Sequence, residues 1–260
     1  GTLYMSWMFG GWVRYAVSAW SPDGKPLNGK YAPVDANHAA AGTPAELQKA
    51  VIGPIPGANA GVRTDSRGRI YVGMGMHAPG VPRPAGYEKD PGYDRIVGSI
   101  VRFGPDGGAW GKTKGEKSPA VLKKDAPRTD SPPMFFQPAP KPEGALQGNG
   151  DNYFIGADRI YEQFGPMSGG HEDTGGLGDP GFCHCRAGRF DLDYYDRLYI
   201  PNPVLNRIRM VDNSNNLICE FGSYGNFDSQ YIPAGSQDKK PLVAVPEIPL
   251  GWPVGVGVSD

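Results

Sequence analysis

RFDLDYYDRLYIPNPVLNRIRMVDNSNNLICEFG, residues 189–222, is the stretch whose reading decides the fold. Phe190 and Leu192 alternate with charged neighbours, and a polar turn runs from Asp193 to Arg197. A second strand then ends in Tyr199 and Ile200. Ile208 and Met210 alternate with Arg207 and Arg209, Asp212 to Asn216 is another turn, and Leu217 to Phe221 reads as one more strand. Period-two alternation broken by Asp- and Asn-containing turns predicts an antiparallel run of short strands, each joined to the next by a hairpin.

The same unit recurs along the chain. GVRTDSRGRIYV, residues 61–72, aligns with residues 189–200 so that Asp65 matches Asp193, Arg69 matches Arg197 and Tyr71 matches Tyr199. SIVRFGPDGG, residues 99–108, continues that earlier copy with a Pro-Asp-Gly-Gly turn, and DRIYEQFG, residues 158–165, mirrors the LICEFG ending as its outer strand. YAVSAWSPDGKPL, residues 15–27, is a weaker echo carrying the same turn at Ser21 to Lys25. The closing GWPVGVGVSD supplies Val256 and Val258 as the opening strand of a further copy. Self-similarity of this kind marks repeat architectures. The interval from Val62 to Phe190 is about twice that from Phe190 to Val256, while a four-stranded unit needs roughly 40–45 residues. The earlier copy therefore carries insertions, read as residues 73–97 and 112–151 and expected to be surface excursions. The best short helix candidate is AELQKAVI, residues 45–52, capped by Thr43.

Composition agrees with many strands and turns. The 260 residues include 39 Gly and 27 Pro, yet 39% are hydrophobic and 11% aromatic, so a packed core is expected rather than disorder. The 26 basic and 27 acidic residues nearly cancel, and no basic stripe offers a footing for nucleic acid. No apolar run reaches the length of a membrane span. The apolar start, residues 1–12, lacks the basic region and cleavage site of a signal peptide, and there is no initiator Met. The chain reads as an interior piece or a processed form.

By Arg207 the pattern resembles the NHL repeat, whose blades read Gly-hydrophobic-x-hydrophobic-Asp, then Tyr-Val, then Asn-x-Arg-Ile and an Asp- or Asn-rich turn. The match is best over residues 189–222 and fair over 61–108, and it departs from the pattern at Asn202 and Leu205. The run GFCHCRAGRFDLD also resembles NHL-like propellers of large secreted proteins of planctomycete-type bacteria, where a Cys-x-Cys pair precedes a blade. The resemblance implies an all-β fold: a β-propeller of four-stranded antiparallel blades, with about three to four blades in residues 1–260 and the last cut off at the C-terminal end. It also implies a secreted, periplasmic or cell-surface location. A propeller ring needs at least about four blades, so the expected partners are a protein or further blades of the same polypeptide. Alternatively, residues 1–27 and 246–260 join in one composite blade that closes a small ring.

The densest chemical cluster is Cys183-His184-Cys185, with His171 a short distance upstream. Thiolates and imidazole suit Zn or Cu; the plainer reading is a disulfide among Cys183, Cys185 and Cys219, or packing of small buried residues. A covalent c-type haem needs Cys-x-x-Cys-His, which is missing here. Met74-Gly-Met-His77 admits a copper reading against a core-filling one. In six-bladed lactonase-like propellers carboxylates and Asn hold a Ca²⁺, and Asp65, Asp193, Asn152 and Asn202 are of the right type. Turn chemistry accounts for the two aspartates without a metal. The basic run from Lys112 to Lys124 reads either as a docking segment for an acidic partner or as a solvated insertion. No nucleophile, phosphate-loop or dinucleotide motif is found. The expected function is a non-catalytic exported propeller acting as scaffold or protein-binding surface, with a metal-dependent hydrolase or redox protein as the competing reading.

Overall fold

The computed structural model describes residues 1–8, 15–27, 51–54, 60–90, 93, 96–113, 140–165, 188–225, 235 and 246–259. Within these the chain is all-β, and its strands form several antiparallel sheets. The N-terminal sheet holds β1 (Leu3–Met8), β2 (Tyr15–Trp20) and β3 (Val51–Pro54). Val51 and Ile52 thus lie in a strand, which corrects the helix expected over residues 45–52; residues 43–50 are outside the described residues. The β-branched pair suits an extended backbone better than a helical one.

The central sheet takes β4 (Val62–Thr64), β5 (Ile70–Met74), β6 (Gly98–Phe103) and β10 (Ala157–Phe164) in the order β4-β5-β6-β10. Residues 75–97 connect β5 to β6. Between β6 and β10 the chain builds an inserted sheet of β7 (Ala109–Lys112), β8 (Leu146–Gln147) and β9 (Asn152–Ile155). Trp110 and Phe154, which flank the expected insertion at 112–151, are buried against the central sheet; residues 114–139 lie outside the described residues. The third sheet, β11 (Asp191–Leu192), β12 (Leu198–Asn202), β13 (Arg207–Val211) and β14 (Leu217–Phe221), repeats the up-and-down order of the central one. Beyond it, β15 (Ser223–Tyr224) pairs in parallel with β16 (Pro249–Leu250).

The repeated turn explains why the two four-stranded sheets look alike. Asp65 Oδ1 accepts the Arg67 and Arg69 backbone N–H groups at 3.0 and 2.9 Å, and Oδ2 accepts Arg69 Nε at 2.5 Å and the Tyr71 hydroxyl at 3.1 Å. Asp193 makes the same four bonds with Tyr195, Arg197 and Tyr199. The fourth residue of each turn needs a left-handed backbone: Gly68 and Asp196 have φ of 74° and 58°. Gly24 and Asn215 hold that position at 78° and 67° in the turns begun by Ser21 and Asp212. Gly and Asn tolerate this region, and Asp does so at modest cost.

The three sheets stack face to face. Ile70, Val72 and Met74 of β5, with Val101 and Phe103 of β6, meet Val17 and Ala19 of β2. The opposite face, Tyr71, Ile100, Tyr161 and Phe164, meets Leu198, Ile200 and Val211 of the third sheet. Every residue of β5 and β6 is consequently buried. Gly73 is required there, because a Cβ would lie 2.5 Å from the Phe164 ring and 2.9 Å from Ala60 Cβ.

Polar groups tie the central and third sheets as well. Buried Arg102 forms a two-pronged pair with Asp158, both contacts at 2.7 Å, and donates to the Tyr161 hydroxyl and to the Asn213 carbonyl. Arg209 meets Glu162 at 2.8 Å, and Asn215 Nδ2 donates to the other oxygen of that carboxylate. At the edge formed by β4 and β11 Arg63 Nε meets Asp191 at 2.8 Å, and Ser66 donates through backbone and hydroxyl to Asp196. The tail follows the same rim: Gly255 bridges Arg189 in parallel, and Val258 N–H donates to Asp191. Residues 246–259 thus pair with β15 and bridge to Arg189, and no composite sheet with residues 1–27 forms among the described residues.

Two expectations follow. Asp65→Ala removes a carboxylate with no exposed surface and strands the Arg69 guanidinium; chemical denaturation should show a loss of about 3 kcal/mol, and much less for Asp212→Ala in its exposed turn. The second concerns acid. Burial acts most strongly on Glu162 and Asp158 and would raise both, but hydrogen bonds from Asn215 and Arg209, and from Arg102, outweigh it and hold both carboxyls below their ordinary range. Their contribution is therefore complete above the unfolded value of about 4 and is lost as pH falls through the lower folded values. Urea midpoints should drop below about pH 4, and Glu162→Gln should flatten that acid slope.

Candidate functional site

The sequence-derived candidates divide into those outside the described residues and those occupied by structural tasks. Cys183, His184, Cys185 and His171 lie outside the described residues, as does the basic run beyond Thr113. Cys219 is a free, exposed thiol on β14. Met74 and Met76 fill the core between the N-terminal and central sheets, while His77 sets its ring 5.7 Å from that of Tyr93. Asp65 and Asp193 are saturated by their own turns. Asn152 accepts from Trp110 Nε1 at 3.0 Å and donates to the Asn149 carbonyl at 2.7 Å, and Asn202 accepts from Leu205 N–H. The four oxygen donors considered for Ca²⁺ thus serve four separate local networks. Among the described residues no three His, Cys, Asp or Glu side chains gather in a metal-binding group.

A different site is built where the β5–β6 connection, the β12–β13 connection and the tail meet. It is a cleft of about 520 Å³. Tyr87 and Tyr93 come from the first segment, Pro203, Val204 and Asn206 from the second, and Tyr224 and Trp252 from the strand pair β15–β16 and its exit. Tyr87 and Tyr93 stand 5.6 Å apart at an interplanar angle of 41°. The Tyr87 hydroxyl donates to the Val204 carbonyl at 3.2 Å, which fastens the long connection to the third sheet. Tyr93 is buried, whereas Tyr224 and Trp252 leave half or a little less of their surface open to solvent.

The backbone here is held out of its ordinary conformations. Asn206 and Trp252 both have positive φ, 53° and 60°, and Trp252 N–H donates to Asn206 Oδ1 at 3.0 Å. Asn tolerates this region, but a bulky residue there is an outlier that surrounding contacts must hold. No sequence motif marks this cleft, because its parts are spread over distant segments.

No family model, curated protein or solved structure matches this chain.

Asn206→Ala removes the acceptor for Trp252 N–H and puts a Cβ-only side chain in a left-handed backbone. Stability should fall by about 1–2 kcal/mol, and Trp252 emission, read as the difference from Trp252→Phe, should shift to the red as the ring is released to water.

Proposed function

We propose that the N-terminal, central and third sheets are successive blades of an NHL-type β-propeller, and that the chain is a non-catalytic, exported scaffold that binds protein through an open blade face. Support for the arrangement comes from the direction of stacking. The Tyr71 face of the central sheet is covered by the Leu198 and Ile200 face of the third. Equivalent positions on the inner rim meet in sequence, from Arg63 to Asp191 and from Arg189 to Gly255, as successive inner strands around one axis would. This step is an analogy at the level of architecture.

One observation carries the binding reading. In the central sheet the row reads Tyr71, Arg102, Arg159, in register across β5, β6 and β10, with Tyr71 and Arg102 buried and Arg159 half-buried. The same row of the third sheet reads Tyr199, Met210, Cys219. Both arginines are replaced by apolar or weakly polar groups, yet Cys219 is exposed and Tyr199 and Met210 are only half-buried. Leu217 and Ile218 beside them are 54% and 47% exposed. An apolar row equivalent to one that is buried at Tyr71 and Arg102, but itself open, marks a surface that another sheet covers. In the isolated chain the sheet that covers it is one of a second copy. No helix of the described residues is long and apolar enough to cross a membrane.

Sedimentation velocity over a range of concentrations, with maleimide labelling of Cys219 in a Cys183→Ser, Cys185→Ser background, tests this reading on the isolated chain. Association and protection of Cys219 are expected to rise together. Met210→Glu should weaken association at least tenfold while altering unfolding stability by less than about 1 kcal/mol, as partly exposed positions do. A chain that stays monomeric with constant labelling defeats the proposal.

A further inference from the structure

We infer that two copies of this chain join by exchanging tails, residues 254–258 of each becoming the first strand of the other's N-terminal sheet. The inference rests on the stacking of blades proposed above and names what closes the stack. Leu3-Tyr4-Met5 of β1 repeats Ile70-Tyr71-Val72 of β5 and Leu198-Tyr199-Ile200 of β12. The pairing follows suit. Leu3, Tyr4 and Met5 lie opposite Trp20, Ala19 and Ser18, as Ile70, Tyr71 and Val72 lie opposite Phe103, Arg102 and Val101. Ser21-Pro-Asp-Gly24 then follows Trp20 as Gly104-Pro-Asp-Gly107 follows Phe103. β1 and β2 are thus the second and third strands of the repeat. The first strand, β4 or β11 in the other sheets, has no counterpart beside β1, which among the described residues pairs with β2 alone. Side-chain exposure marks the gap. Ile70, Val72, Leu198 and Ile200 are at most 1% exposed, whereas Leu3 and Met5 are 59% and 55% exposed.

The tail is the converse, a first strand without the rest. Arg63 of β4 and the Val258 N–H of the tail meet the two oxygens of Asp191, so the tail stands to β11 as β11 stands to β4. Val256 N–H donates to the Arg189 carbonyl and Val258 N–H to Asp191, which turns the alternate backbone groups of Gly257 to the tail's other edge. On β1, Ser18 Oγ donates to the Met5 carbonyl, so the Tyr4 backbone groups face away from β2. Val62, Arg63 and Thr64 lie opposite Val72, Tyr71 and Ile70, and Leu192 lies opposite Leu198. The same register sets Val256, Gly257 and Val258 of one copy opposite Met5, Tyr4 and Leu3 of the other. Its aliphatic face then meets the open row of Tyr199, Met210 and Cys219. One chain cannot make this pairing by itself, because its tail lies beside Arg189 and its β1 beside β4. Each copy brings three stacked sheets. Closed rings hold roughly 4–8 blades, and six is the one multiple of three in that range. The assembly is therefore a dimer with both tails exchanged, which leaves no open sheet face at either end.

Disulfide trapping tests the register, in full chains carrying Cys183→Ser, Cys185→Ser and Cys219→Ser. A tagged Leu3→Cys chain is mixed with an untagged Val258→Cys chain and oxidised mildly. Opposed residues of antiparallel strands lie close enough for a disulfide. The mixed covalent dimer should form at least tenfold faster than with Gly257→Cys, whose side chain points to the other face. Gly257→Pro removes the N–H aimed at Tyr4 and leaves the bonds to Arg189 and Asp191 in place, so it should weaken association at least tenfold with an unchanged circular dichroism spectrum. Sedimentation equilibrium should level off at twice the chain mass. Association that protects Cys219 without preferential Leu3–Val258 trapping, or a Gly257→Pro chain that associates normally, overturns the tail exchange and leaves the open-face reading standing. A mass that grows past two chains overturns the closed dimer, and a chain that stays monomeric overturns both readings.

Discussion

A carboxylate that accepts two backbone N–H groups through one oxygen, and an arginine with a tyrosine hydroxyl through the other, is the constraint on which the architecture depends. Asp65 and Asp193 each do this. The first oxygen closes the turn, and so fixes where the first strand of the sheet ends and the next begins. The second oxygen reaches along the second strand to Tyr71 or Tyr199, and so sets which face that strand presents. A side-chain period of two leaves no slack: a slip by one residue would turn Tyr71 and Gly73 toward the N-terminal sheet and Ile70, Val72 and Met74 away from it. Register, and with it the sorting of the two cores, thus hangs on a buried acid at the mouth of each hairpin.

Because the faces are sorted in the same sense in both sheets, the stack has a direction. Aliphatic residues of one sheet meet the tyrosine-bearing face of the sheet before it. The central interface adds buried charge to this, and the burial of Arg102 is compensated by Asp158, Tyr161 and the Asn213 carbonyl, the last contributed by the third sheet's own turn. Such pairing adds little net stability compared with apolar packing, but a misaligned sheet would leave a guanidinium unpaired, at a cost of several kcal/mol. The arginines therefore act against wrong alignments more than for the right one. Met210 and Cys219 carry no such penalty, which leaves the third sheet's outward face permissive in what it meets.

The cleft depends on the same stacking from one step further out. Tyr87 reaches Val204 because the β5–β6 and β12–β13 connections leave the same end of neighbouring sheets. Trp252 reaches Asn206 because the tail, after pairing with β15, turns inward to run beside Arg189. Rigid sheets bring the connections together, and the connections carry the rings.

By itself the sequence determined the strands of the repeat, the Asp turns and the outer strand at residues 158–165, because alternation and turn chemistry are local and each is decided within a few residues. It also exposed the kinship of residues 61–72 and 189–200, since the same short-range bonds demand the same Asp, Arg and Tyr at the same spacing. It misread residues 51–52, where a short apolar pair satisfies either period and pairing with β2 decides. Only the tertiary structure placed Trp110 and Phe154 in the core, gathered Tyr87, Asn206, Tyr224 and Trp252 around one cleft, and ran the tail beside Arg189 in place of residues 1–27. Those results rest on contacts between residues far apart in the chain, which no local pattern encodes.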